Sequence, residues 1–307
     1  MDIFLQQIIN GLVQGSVYAL VALGYTMVYG ILGLINFAHG EVVMVGAMSA
    51  LAVGNGLIAL GLPAGLAMVL GLVAAIVICM GLGYTIERIA YRPLRHAPRL
   101  APLITAIGVS IVLQNLAMMV WGREYHAFPP LIKNTTHQLG GAVISDLQVL
   151  IVFVALLIMG GLLFLVHRTK LGRAMRAVAE NPAVAALMGV NINGVISLTF
   201  MLGSALAAVA GVMVGANYGI VHYYMGFILG LKAFTAAVLG GIGNLRGAML
   251  GGLLLGLIES LGAGYIGDLT GGFIGSNYQD VFAFFVLIGV LVFRPSGLLG
   301  ERVAERA

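Results

Sequence analysis

Apolar residues in this chain run unbroken for about 20 residues at a time, with short polar stretches between the runs. About 20 such residues are what a helix needs to cross the hydrocarbon of a bilayer, whereas strands of a membrane barrel alternate apolar and polar positions. The pattern therefore predicts an all-α fold, a polytopic transmembrane helical bundle. Its spans fall at 8–32, 37–60, 64–90, 100–121, 147–166, 194–216, 227–242, 248–266 and 281–293. The 227–242 run is short, and the glycines of GGIGNLRGAMLGG at 240–252 follow it. It reads as a ninth crossing or as a re-entrant or broken helix near 227–247, so eight or nine spans are expected. Residues 1–307 form one transmembrane domain.

The longest polar interruption is 167–193, HRTKLGRAMRAVAENPAVAALMGVNIN. Asn181 and Pro182 supply a helix N-cap and first-turn pair, and Gly189 stands where a left-handed terminating residue is wanted. A helix of about two turns is predicted over 183–188; alone it is too short to be stable in water, so it must be held by the bundle or by a partner. A second polar segment, 122–146, carries Pro129-Pro130 and Gly140-Gly141 and reads as loop.

Charge sets the orientation. Of 15 Lys and Arg, twelve fall on one side of a nine-span chain: Arg88, Arg92, Arg95, Arg99, Arg168, Lys170, Arg173, Arg176, Arg246, Arg294, Arg302 and Arg306. Arg123, Lys133 and Lys232 are the remainder. The positive-inside rule makes the majority side cytoplasmic, so 167–193 is cytosolic, 122–146 is external and the N-terminus is extracytoplasmic.

Composition agrees: 61% hydrophobic residues, 8% charged and a mean hydropathy of +1.07 leave too little polar surface for a soluble globule. The net charge of +4 is explained by topology and gives no reason to expect nucleic acid. Basic Arg173 and Arg176 suit anionic membrane lipid. Met1-Asp2 offers no positive leader, so the first span is expected to be retained. The single cysteine, Cys79, lies in an apolar run and is expected to pack.

Small residues at every fourth position mark close helix contacts: Gly203, Ala207, Gly211 and Gly215; Ala248, Gly252, Gly256 and Ser260; Gly11, Gly15 and Ala19. Ionisable groups within spans cost about 2.5–3.5 kcal/mol each on insertion scales, which makes each a candidate for function. Asn36, His39 and Glu41 in INFAHGE stand at the expected cytoplasmic mouth of the second span, where Gly40 permits an unwound backbone. They read equally as a gate or translocation path and as a solvated helix start. Lys232 is a further candidate, but the expected topology sets it and Glu41 near opposite faces of the membrane and argues against their pairing. Glu259, beside the Gly256 stripe, is read as bonding inside the bundle. Glu87 and Arg88, at a cytoplasmic helix end, are read as snorkelling. Ile35-Asn36-Phe37 with His39-Gly40 faintly repeats in Ile242-Gly243-Asn244-Leu245 with Arg246-Gly247.

None of the three lysines sits in a GxxxxGK[ST] phosphate loop, and HExxH, paired cysteines and a GxSxG elbow are missing. No catalytic residue, cofactor or metal site is expected in this chain. A carrier of solute is the reading that remains, with an ion-coupled secondary transporter or channel for a small polar solute as one form of it.

The blocks GYTMVYGILGLINFAHGEVVMVGA at 24–47, IERIAYRPLR at 86–95 and LKAFTAAVLGGIGNLRGAMLGGLLLG at 231–256 resemble the LivH-type permeases of branched-chain amino acid ABC importers, with similarity from about 6 to 300. The resemblance implies a permease of the bacterial inner membrane and a second homologous permease subunit. It also implies two cytosolic ABC ATPase subunits and a periplasmic amino-acid-binding protein. It further implies that 167–193 is a coupling loop that fits a groove on an ATPase. AENPAVAALMGVN resembles that family's pattern at Ala179, Asn181, Ala185, Ala186 and Gly189, with Glu180 and Pro182 between them. Small Ala185 and Ala186 are expected to allow close docking.

Overall fold

The computed structural model describes residues 2–95, 97–98, 100–132, 134–271 and 278–300. Arg99, Lys133, Arg302 and Arg306 of the charge pattern lie outside these described residues. The helices are α1 (Asp2–Leu32), α2 (His39–Ala59), α3 (Ala64–Ile86), α4 (Leu100–Trp121), α5 (Asp146–Arg168), α6 (Lys170–Glu180), α7 (Pro182–Leu187), α8 (Ile192–Tyr218), α9 (Met225–Gly240), α10 (Leu245–Leu269) and α11 (Gln279–Phe293). Seven of them, α1 to α5, α8 and α10, are long and apolar enough to cross a membrane. α9 and α11 are shorter apolar helices. The 16 residues of α9 rise about 24 Å, less than the ~30 Å of hydrocarbon. At the start of α9, Gly226 packs against Gly40 and Glu41 of α2.

The small-residue stripes are the seams of the bundle. α1 and α10 pack antiparallel: a Cβ on Gly11 would meet Leu257 Cα at 2.8 Å, one on Gly15 would meet Leu253 Cα at 2.8 Å, and Gly252 lies against Ala19. α8 packs parallel to α2, with Gly203 beside His39, Gly46 against Ala208 and Gly211 against Val43 and Ala47. In lipid no hydrophobic force drives helices together, so the dispersion gained when backbones touch along these stripes holds the bundle. α1 and α8 are the most buried spans, while α3, α4 and α5 turn wide apolar faces outward. Cys79 packs as expected, buried with its Sγ 3.5 Å from Val42 O.

Two ends can be told apart. One carries the strands: β1 (His126–Ala127) pairs antiparallel with β4 (Ile220–Val221), and β2 (Thr136–Leu139) pairs antiparallel with β3 (Ala142–Ser145). Gly140 and Gly141, at φ +56° and +92°, make the tight turn between β2 and β3. Reading 122–146 as loop is therefore corrected; all four residues of β2 are exposed, so no alternation betrayed it. Gln6 of α1 clasps β3 through both of its amide atoms, at 3.0 and 2.8 Å from the Val143 main chain. A capping box of Ser145 and Gln148 starts α5 here. At the opposite end Gly30 meets Gly243, Gly240 packs on Gly247, and Leu298 and Leu299 donate main-chain hydrogen bonds to Leu239 and Gly240.

Candidate functional site

The basic end is built around the 167–193 segment. Thr169 Oγ1 caps α6 by accepting from Gly172 N at 3.1 Å. α6, which the sequence reading missed, is amphipathic: Gly172, Met175 and Val178 face inward and its charged residues face out. Gly172 is required there, since any Cβ would strike the last turn of α5. Arg176 donates to Val166 O, which ties α6 to the carbonyl end of α5. A cavity of about 100 Å³ between α6, the end of α1 and the α9–α10 turn is lined by Thr26, Gly30, Met175, Ala179 and Gly243.

α7 follows directly. Asn181 is its N-cap, with Oδ1 accepting from Val184 N at 3.1 Å, and Pro182 occupies the first turn. Gly189 is left-handed at φ +80°. Val190 N donates to Ala185 O and Gly189 N to Ala186 O, the paired bonds of a Schellman stop. The inner and outer faces differ from the expectation. Ala185 is 3% exposed and packs on the chain's own bundle, so it is not an outer docking surface. Ala186 lies outside, but the exposed apolar surface comes from Val184 at 53%, Leu187 at 88% and Met188 at 80%. Glu180 and Asn181 are exposed beside them. Asn191 then caps α8, accepting from Gly194 N at 3.0 Å.

Glu87 does not snorkel. The end of α3 widens into a π turn over Glu87–Tyr91, and Glu87 is fully buried at 0%. Arg92 pairs with its Oε2 at 3.0 Å, Arg95 with its Oε1, and Ser197 Oγ of α8 donates at 2.7 Å. Arg95 also reaches Asn193 at 2.6 Å, so the first turn of α8 is riveted to the end of α3. π turns are rare and frequently functional.

The INFAHGE residues lie deeper than a mouth. Asn36 is buried and receives Tyr91 Oη at 3.2 Å. The His39 ring packs edge-on to Tyr25 at 4.9 Å and lies against Gly24 and Gly203. Gly24 is eight residues before the end of α1, about 12 Å inside. Glu41 is 1% exposed. Its Oε1 accepts from Ser110 Oγ at 3.1 Å and Gln114 Nε2 at 2.6 Å, both on α4. Its Oε2 has no hydrogen-bond partner among the described residues, and a buried group left so costs about 1–3 kcal/mol or more. Beside it is a cavity of about 230 Å³ between α1, α2, α4 and α9.

Lys232 and Glu259 come together. Lys232 Nζ is 3.1 Å from Glu259 Oε2 and 2.7 Å from Asp280 Oδ1, and Tyr18 Oη donates to Glu259 Oε2 at 2.8 Å. Bonding inside the bundle is what was expected of Glu259; Tyr18 and Asp280 were not foreseen. Lys232 also lines a cleft of about 260 Å³ that reaches Tyr125, Tyr218 and His222 near the stranded end. Lys232 and Glu41 do not pair, but not because they sit near opposite faces. Gly226, which touches Glu41, and Lys232 are six residues apart on α9, about 9 Å along its axis, and point to different sides.

Comparison with known proteins supplies the context. The family model described as "Branched-chain amino acid transport system / permease component" matches residues 7–291. The high-affinity branched-chain amino acid transport system permease protein BraD of Pseudomonas aeruginosa is 50% identical over 308 residues, 99% of this chain and 98% of that one. The corresponding LivH of Escherichia coli K12 is 46% identical over 309 residues, 99% of this chain and 97% of that one. A probable branched-chain amino acid transport permease of Methanocaldococcus jannaschii is 29% identical over 304 residues, 97% and 94% of the two chains. With seven apolar helices of spanning length and a family match along nearly all of its length, this multi-pass membrane protein belongs to the permease component family of branched-chain amino acid transport systems.

Proposed function

We propose that this chain is a non-catalytic permease subunit of an ATP-driven, binding-protein-dependent importer of branched-chain amino acids in a bacterial inner membrane. The observation that carries the reading is identity of 46–50% over almost the full length to permease subunits of that name. In the assembly the chain shares the translocation path with a second, homologous permease, receives substrate from a periplasmic binding protein and is driven by two cytosolic ATPases. The basic end, with Arg88, Arg92, Arg95, Arg173, Arg176 and Arg246, is the cytoplasmic one.

α7 is the contact for an ATPase, and its geometry suits the task. A six-residue helix about 9 Å long presents Val184, Leu187 and Met188 to water, an apolar knob with no partner among the described residues. Its caps keep it rigid. Buried Ala185 and the Asn191 cap couple it to α8, and α6 couples it to the end of α1 and the α9–α10 turn. Closure of the ATPases displaces this unit, and the bundle exchanges outward for inward access. The work is possible because ATP and substrate bind the two states with different affinity.

Leu187→Asp tests the contact. Losing one buried leucine from the interface removes about 1.5–3 kcal/mol, enough for roughly a tenfold or greater fall in ATP-driven leucine uptake by the reconstituted importer. The bundle should purify intact. Undiminished uptake rejects docking through α7, and uptake by this chain alone, driven by an ion gradient without ATP, rejects the importer.

A further inference from the structure

The cavity beside Glu41 is a built site with an unpartnered carboxyl oxygen. Its walls are Phe37, Ile107, Phe227, Leu231 and Phe234, apolar or aromatic, with the Glu41 carboxylate, Ser110 and the Tyr25 hydroxyl as the polar groups among its lining. Gly226 and Gly230, one turn apart on α9, give one wall as bare backbone; a Cβ on Gly226 would stand 2.7 Å from Glu41 Oε2 and close the approach. Ser110 and Gln114 both donate to Oε1 and fix the carboxylate, leaving Oε2 free. Among the described residues no Lys or Arg pairs with it; Lys232 is engaged elsewhere by Glu259 and Asp280. At about 230 Å³ the space exceeds the ~150 Å³ that suffices to admit benzene to a protein interior.

We propose that this cavity binds the transported amino acid, with its α-ammonium on Glu41 Oε2 and its aliphatic side chain against Phe37, Phe227, Leu231 and Phe234. An ammonium brings three donors and a positive charge to an oxygen that has neither partner nor counter-ion, and the aromatic walls accept both a branched alkyl chain and a cation at their faces. The site is therefore selective for a primary ammonium attached to a small apolar body. The inference rests on the importer reading and adds to it a substrate contact within this chain.

The test is leucine and valine uptake by the complete importer in proteoliposomes, with ATP and its binding protein. Glu41→Gln keeps the shape and removes the carboxylate; leucine uptake by the assembled importer should fall at least about tenfold. Leu231→Trp, at the half-exposed rim, fills the cavity and should lower leucine uptake about tenfold relative to valine. Normal leucine uptake by Glu41→Gln, or an unchanged leucine to valine ratio in Leu231→Trp, overturns the site and leaves the importer standing. A folded Glu41→Gln chain that no longer retains the second permease also overturns it, since the carboxylate is then a subunit contact. A wild-type assembly that imports neither amino acid overturns the importer reading and this site together.

Discussion

Glu87 shows how a single carboxylate can be misread from its place near a helix end. Ala67, Gly71, Ala75, Cys79 and Gly83 are small, buried and spaced by four, and Glu87 is the next position in that series. The stripe that lets α3 approach its neighbours thus carries Glu87 inward, and Arg92 and Arg95 follow to neutralise it. That direction was legible; the identity of Ser197 and Asn193 as partners was not, because they are more than 90 residues away. The Lys232–Glu259 pair obeys the same physics. Removing one member leaves a buried charge, so Lys232→Met and Glu259→Met should each lower stability by about 3–5 kcal/mol. The double variant should lose clearly less than the sum, since the paired Lys232 and Glu259 charges are then removed together. Thermal unfolding in detergent measures the cycle, and strict additivity would deny the coupling.

Among elements, the spans announced themselves through their length and the caps of α7 through residue type. Asn181, Pro182 and Gly189 each act in the structure as their chemistry requires. α6 escaped notice because its buried positions are only three, Gly172, Met175 and Val178, in a stretch that also carries Lys170, Arg173, Arg176 and Glu180. The inward turn of Ala185 was hidden for a related reason: six residues are too few to define a face by periodicity. The α1–α10 seam offers a direct check. At Gly15 a side chain would collide with the main chain of Leu253, which cannot swing aside as a side-chain tip would. Gly15→Leu should therefore cost about 3 kcal/mol, the upper part of the overpacking range, and lower the unfolding temperature. Gly160→Leu, on the open face of α5, should change little, and equal effects would show that the seam is not specifically packed.

For the whole molecule, sidedness is the property that joins structure to function. Residues 136–145 and 182–188 lie at opposite ends of α5, so one span separates the strand hairpin from the exposed helix. Thr136→Cys should react with an impermeant thiol reagent in intact cells, and Met188→Cys only after the membrane is opened; native Cys79 is buried and silent. The reverse pattern would invert the assignment of the ATPase face. Partner surfaces and the cavity at Glu41 were beyond the reach of composition and spacing, because each is assembled from helices distant in the chain.

The seam between α1 and α10 also constrains how the protein is made. Gly15 meets Gly256, 241 residues later in the sequence. At about 5–20 residues per second a ribosome needs roughly 10–50 s to supply that partner. During this interval α1 sits in the bilayer with its notched face against lipid or another helix, and the α1–α10 packing waits for α10 to be inserted. Biogenesis is thus governed by long-range closure: α1 enters the membrane well before α10 and is locked against it only when α10 arrives.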